Sequence, residues 1–176
     1  MQFDPTMLRD AYLIQLEPAR DNRGSFARTF CVEEFAAHGL ENNYPQHSIS
    51  VSARTGTLRG MHYQRDPHSE AKLVRCTRGA ILDVIIDIRS DSPTYRRWQG
   101  FELSSANSYQ LYIPKGFAHG FQTLSDDTEV NYLISAPYKP ELAHGIRYND
   151  PAFGISWPLS VTEISEKDLH WPDFSK

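Results

Sequence analysis

The chain has 176 residues, 40% of them apolar and 12% aromatic, enough for one globular domain spanning residues 1–176 to bury its own core. Its 18 basic and 22 acidic side chains leave a formal net charge of -4, so nothing global draws it to nucleic acid or an anionic membrane. The opening MQFDPTMLRDAYLIQL has no basic stretch leading into an apolar run, and no segment is apolar for long enough to span a bilayer. We therefore expect neither signal peptide nor transmembrane helix, and a cytoplasmic location. In chain order, strands are predicted at 11–16 and 26–31. A short helix follows at 32–38, with Val32, Phe35 and Ala36 on its inner side and Gly39 as its stop. Further strands are predicted at 48–53, 57–64, 73–78, 81–89, 109–113, 118–124 and 129–135. The run 81–89 alternates, with Leu82, Val84, Ile86 and Ile88 on one face. Asp83, Asp87 and Arg89 share the other with Ile81 and Ile85. A last helical turn is predicted at 165–168, capped by Ser165. Many short, evenly spaced strands and little helix point to an all-β sandwich or barrel, a fold that often carries a site in its mouth. Cys31 and Cys76 lie far apart and outside any CxxC pair, and are read as buried free thiols.

Two histidines sit in informative surroundings: His62 in GTLRGMHYQ and His119 in IPKGFAHGF. The spacing from Gly56 to His62 is similar to the opening of the first cupin motif. Pro114, Gly116 and His119 resemble the second. Metal-binding cupins place another histidine two residues after the first; here that position is Gln64. A first-row metal prefers a fuller set of nitrogen and oxygen ligands, so no metal is expected. Alone, each histidine reads as a packed or surface residue. The same holds for Lys72 as a snorkelling lysine, Tyr132 as a core tyrosine sharing a face with Val130 and Ile134, and Asp168 as a helix cap. Between Arg54 and Arg78 six basic residues (Arg54, Arg59, Arg65, Lys72, Arg75, Arg78) outnumber Asp66 and Glu70, which suits an anionic ligand such as a diphosphate or else a solvated face.

What links these positions is their order. GTLRGMHYQ, AKLVRCTRGAILDVIIDIRSDSPTY, LYIPKGFAHGFQTLSD, GIRYNDPAFGISWP and SEKDL together resemble the dTDP-4-dehydrorhamnose 3,5-epimerase family over residues 21–168. The resemblance implies a cupin-like (jelly-roll) β-barrel, a homodimer, and no cofactor. It also implies inversion at C3 and C5 of dTDP-4-dehydro-6-deoxyglucose. By the same resemblance His62 is the base, Asp168 its carboxylate partner, Lys72 the cation at the keto oxygen and Tyr132 the acid on the far side of the sugar. Substrate contacts fall to Arg59, His119, Gln46 and Lys167. Tyr138 is the ring that stacks on the base, and Arg23 reaches the nucleotide in part across the dimer. The chain departs from the family at Arg28, at Gln46-His47-Ser48, at Pro137 beside Tyr138, and at Ala143.

The chemistry suits the residues. Hydrogens at C3 and C5 are both alpha to the C4 ketone, so a base of pKa near 6.5 can remove them and leave an enolate. A carboxylate behind the imidazole fixes its tautomer, and an ammonium steadies the enolate oxygen. A phenol delivers the proton to the opposite face, its pKa lowered by a cationic site. One geometric conflict follows. Strict alternation puts Arg59 and His62 on opposite faces, so both reach one site only if Gly60 hosts a bulge. The competing readings are a mono-epimerase or an enzyme for another nucleotide, a non-catalytic sugar-nucleotide binding protein, and a metal-dependent cupin oxygenase, which Gln64 disfavours.

Overall fold

The computed structural model describes residues 1–174. Two antiparallel sheets face each other. The first contains β1 (Gln2–Pro5), β2 (Tyr12–Gln15), β5 (Gln46–Ser52), β7 (Lys72–Arg78), β10 (Gln110–Ile113) and β12 (Thr128–Ile134), in the order β1-β2-β10-β7-β12-β5. The second contains β6 (Leu58–Gln64), β8 (Ala80–Asp87), β9 (Trp98–Ser104), β11 (Phe117–Thr123) and β13 (Ala143–Gly145), in the order β13-β6-β11-β8-β9. A small hairpin, β3 (Ala19–Asp21) and β4 (Gly24–Phe26), stands apart from both. The architecture is the cupin-like jelly roll expected, with two short helices: α1 (Val32–Ala37) and α2 (Glu166–Leu169).

Hydrophobic burial divides into three layers. Between the sheets, Val74, Leu111, Ile113 and Val130 of the first meet Ile81, Ile85, Leu103 and Phe121 of the second. The outer face of the first sheet is covered by Phe35 of α1 with Leu40 and Tyr44, packed on Ile14, Leu73 and Tyr112. The outer face of the second is covered by the chain after β13: Ile146 and Phe153 pack on Met61, Val84, Ile86 and Ala118. β8 therefore has no solvent face. Its all-apolar side (Leu82, Val84, Ile86) lies under the C-terminal chain, while the mixed side turns Ile81, Asp83 and Ile85 into the interior. A strand covered on both faces buries about 1.5–3 kcal/mol for each large apolar side chain.

Several boundaries differ from expectation. The strand foreseen at 26–31 stops at Phe26, where the ladder with Ala19 ends; the continuing chain instead tucks Phe30 against Phe35 and Tyr44, with ring centroids 4.9 and 5.3 Å apart. In α1 only Phe35 is buried, and Val32 is 53% exposed, so the helix presents one anchor and not a stripe. Gly39 ends it as foreseen: at φ +69 its N–H reaches Ala36 O at 3.0 Å, and Leu40 N–H reaches Phe35 O at 3.0 Å. Strands β1, β3, β9 and β13 carry no alternation of their own; β9 is interrupted by Gly100, where an added Cβ would crowd Leu82. Cys76 is buried, but Cys31 is only half-buried.

Candidate active site

The apolar core fills one end of the space between the sheets. The other end opens as a cavity of about 630 Å³. Inward positions of β5, β6, β7, β11 and β12 line it, together with α2. His62, Lys72, His119, Tyr132, Asp168, Arg59, Gln46, Tyr138 and Lys167 all belong to this lining. Arg23 does not. It projects from the β3–β4 hairpin, 89% exposed, bound only to Asp21 within the described chain.

The phase conflict on β6 is resolved at Gly60. Across the ladder with β11, His62 pairs with His119 but Arg59 pairs with Phe121. Three steps on one strand thus match two on the other. That extra residue turns both Arg59 and His62 into the cavity. Only glycine fits there: φ is +127, and a Cβ would lie 2.5 Å from the Gly120 Cα.

Asp168 is 4% exposed and accepts three hydrogen bonds. His62 Nε2 donates to Oδ1 at 2.6 Å, Trp171 Nε1 to Oδ1 at 3.2 Å, and the Gly60 N–H to Oδ2 at 3.3 Å. Ser165 caps α2 by accepting from the Asp168 N–H at 3.1 Å, which sets the carboxylate's direction. Burial by itself raises the Asp168 pKa, but the bond and charge of His62 with the Gly60 and Trp171 donors outweigh it, and the carboxyl titrates below its usual range. An ionised carboxylate only accepts, so the imidazole carries its hydrogen on Nε2 and leaves Nδ1 as the basic nitrogen.

Across the cavity, the Tyr132 hydroxyl shares a hydrogen bond with Ser50 Oγ at 3.1 Å. Burial raises its pKa well above the ordinary phenol value, with Ser50 and Arg59 opposing weakly. This corrects the expectation that cations lower it: here desolvation wins, and the phenol stays protonated at neutral pH. Beside it His119 Nε2 donates to the fully buried Asp83 Oδ2 at 2.9 Å. Lys72 is 8% exposed; its Nζ lies 3.1 Å from Glu70 Oε1 and donates to the His62 carbonyl at 3.3 Å.

The stretch 54–78 does not form one basic patch. Arg54 pairs with Glu163 and Arg78 with Glu129 on the surface, while Arg59 and Lys72 enter the cavity. Gln64, at the position that a second histidine holds in metal cupins, has another task. It donates to His68 O and Pro137 O and accepts from the Lys139 N–H at 2.6 Å, bracing the rim that carries Tyr138. Tyr138 N–H in turn donates to Gln46 Oε1 at 3.0 Å. Among the described residues no three His, Cys, Asp or Glu side chains are grouped to hold a metal ion. Of the departures, Ser48 and Ala143 line the cavity, whereas Arg28 is bound to Glu34 away from it.

Sequence reasoning assigned no role to Ser50, Glu70, Asp83 and Trp171. Ser50 and Asp83 meet Tyr132 and His119 from distant strands, and spacing alone gives no chemistry to such neighbours.

A jelly-roll barrel with a histidine–carboxylate pair, a buried phenol and a buried ammonium around one cavity defines a cupin-like protein equipped for acid–base chemistry in its mouth. A profile of the dTDP-4-dehydrorhamnose 3,5-epimerase family matches residues 5–176, and the chain belongs to that family. It is 45% identical over 173 residues to the dTDP-4-dehydrorhamnose 3,5-epimerase of Methanothermobacter thermautotrophicus, spanning 97% of this chain and 92% of that one. Among solved structures, the Bacillus anthracis dTDP-4-dehydrorhamnose 3,5-epimerase with TDP and PPi bound is similar at a TM-score of 0.95 and 38% identity, over 98% of this chain and 99% of the other. A 3'-monoepimerase from Streptomyces bikiniensis in complex with dTDP-quinovose is similar at a TM-score of 0.88 and 33% identity, over 96% of this chain and 86% of the other.

Proposed function

We propose that this chain converts dTDP-4-dehydro-6-deoxy-D-glucose to dTDP-4-dehydro-L-rhamnose by inverting C3 and C5 through enolate intermediates. The observation that carries the reading is the opposition of His62 and Tyr132 across one cavity with Lys72 also in its wall. His62 Nδ1 removes the proton alpha to the ketone, and Asp168 steadies the resulting imidazolium. Lys72 stabilises the enolate oxygen, and Tyr132 protonates the opposite face. His119, Gln46 and Arg59 hold the sugar and its diphosphate, with Lys167 at the rim. Tyr138 stacks on the base. Binding energy from the nucleotide positions the sugar between the two acid–base groups.

A homodimer accounts for Arg23, which does not line the described cavity and stands exposed on the β3–β4 hairpin, where exchanging Asp21 for a phosphate would let it serve the partner's site. The exposed Phe26 beside it and Ile49 and Val51 on edge strand β5 supply apolar area for such an interface. The chain works as one domain in the cytoplasm, consistent with its two free cysteines. Incubation with dTDP-4-dehydro-6-deoxyglucose in heavy water, read by mass and NMR, tests the reading: deuterium enters at both C3 and C5. Label at C3 alone makes the chain a mono-epimerase, the reading that its similarity to the 3'-monoepimerase favours. Binding with no exchange overturns catalysis altogether. Ser48, Pro137 and Ala143 bear on the nucleotide, and affinities for dTDP, UDP, CDP and GDP measure it; we expect dTDP to bind tightest.

A further inference from the structure

Lys72 has a buried neighbour that the proposed chemistry does not use. Glu70 sits two residues earlier, just ahead of β7; it lines the same cavity and it too is 8% exposed. Taking an ammonium and a carboxylate out of water is costly unless each finds a partner. The lysine has three N–H bonds. One points to Glu70 Oε1 at 3.1 Å and one to the His62 carbonyl oxygen at 3.3 Å, which leaves one for the cavity. Two acceptors in different directions fix a head group whose four-carbon stem is otherwise free to rotate. The second acceptor belongs to the residue that carries the base, so cation and imidazole are held to a common peptide.

Glu70 is itself anchored. The next residue, Ala71, donates its N–H to Ser135 Oγ at 2.8 Å, and the Ser135 N–H returns to Ala71 O at 3.0 Å. Its other oxygen, Oε2, is buried with no hydrogen-bond partner. For stability alone, a buried carboxylate with half its acceptor capacity unmet is a poor choice. It is explained by the ammonium it holds.

We propose that Glu70 is a positioning residue for the reaction: it holds Lys72 aimed so that the remaining N–H meets the keto oxygen of the sugar. This rests on the epimerase reading above. The test compares Glu70→Gln, whose amide oxygen still accepts from Lys72, with Glu70→Ala. Deuterium wash-in should lose about 10- to 100-fold in kcat in Glu70→Ala, with dTDP affinity within about twofold. Glu70→Gln should stay within about fivefold. A substrate-free readout uses lysine labelled with 13C at Cε, the Lys72 signal being assigned by its loss in Lys72→Arg. That carbon should be rigid in the unaltered chain and in Glu70→Gln, and rotationally averaged in Glu70→Ala. If Glu70→Ala does not fold, Glu70→Met, which keeps the volume without an acceptor, takes its place. Full turnover without the carboxylate, or an equally rigid Lys72, overturns the proposal. If the unaltered chain exchanges no protons, the epimerase reading falls, and the NMR comparison still decides whether Glu70 holds Lys72.

Discussion

At the residue scale, two groups on facing walls have environments that drive them to opposite tasks. The carboxylate behind His62 is held ionised by three donors, and the Tyr132 phenol is held neutral by burial. In the proposed reaction the first arrangement makes a base of Nδ1, and the second keeps a proton ready to give. His62→Ala should therefore cut deuterium wash-in by at least about 100-fold while sugar-nucleotide affinity, measured calorimetrically, changes little. Tyr132→Phe should separate two quantities measured on one sample: proton loss persists with retained configuration, while inversion slows by about 100-fold or more. Equal loss of both would remove the phenol from its role. His62, His119 and Lys72 were legible because they sit in ordered motifs. Ser50, Asp83 and Trp171 were not, because each acts through a contact with a residue 3 to 82 positions away, and no local pattern encodes that.

At the element scale, most strands followed from alternation and turn residues, within one or two positions. Apart from β9, which Gly100 interrupts, the missed strands share a cause. Strands β1, β3 and β13 are three or four residues long and exist because a neighbour offers hydrogen bonds, a fact of tertiary structure. On β8 the two faces were sorted correctly, yet the all-apolar face is the outer one, roofed by a C-terminal chain that has no periodicity. The bulge on β6 was inferred from conflicting functional demands on Arg59 and His62, and the register with β11 contains it. Gly60→Ala should destabilise the fold by at least about 2 kcal/mol, a fall in Tm of roughly 4–8 °C, and should cost activity beyond that. A variant with unchanged Tm would mean the bulge tolerates a side chain.

At the scale of the whole molecule, acid stability follows from the buried carboxylates. Asp87 is fully buried; burial raises its pKa, but Arg89, Ser92 and Thr94 more than offset this, and its folded pKa lies below the ordinary value. Asp168 is depressed likewise. A depressed folded pKa adds stability above the unfolded value near 4, and this is lost as pH falls through the folded value. Unfolding free energy from urea titrations should thus change little in these groups' contribution from pH 7 to about 5, then decline below about 4, with a shallower decline in Asp87→Asn. Assembly offers a second check: Ile49→Asp combined with Val51→Asp should sediment as a monomer if edge strand β5 lies in the interface.

The peptide at Gly60 does two jobs, re-phasing β6 and donating to Asp168. Any side chain added at position 60 would therefore disturb the reach of Arg59 and the seating of the imidazole together, because one amide unit serves both.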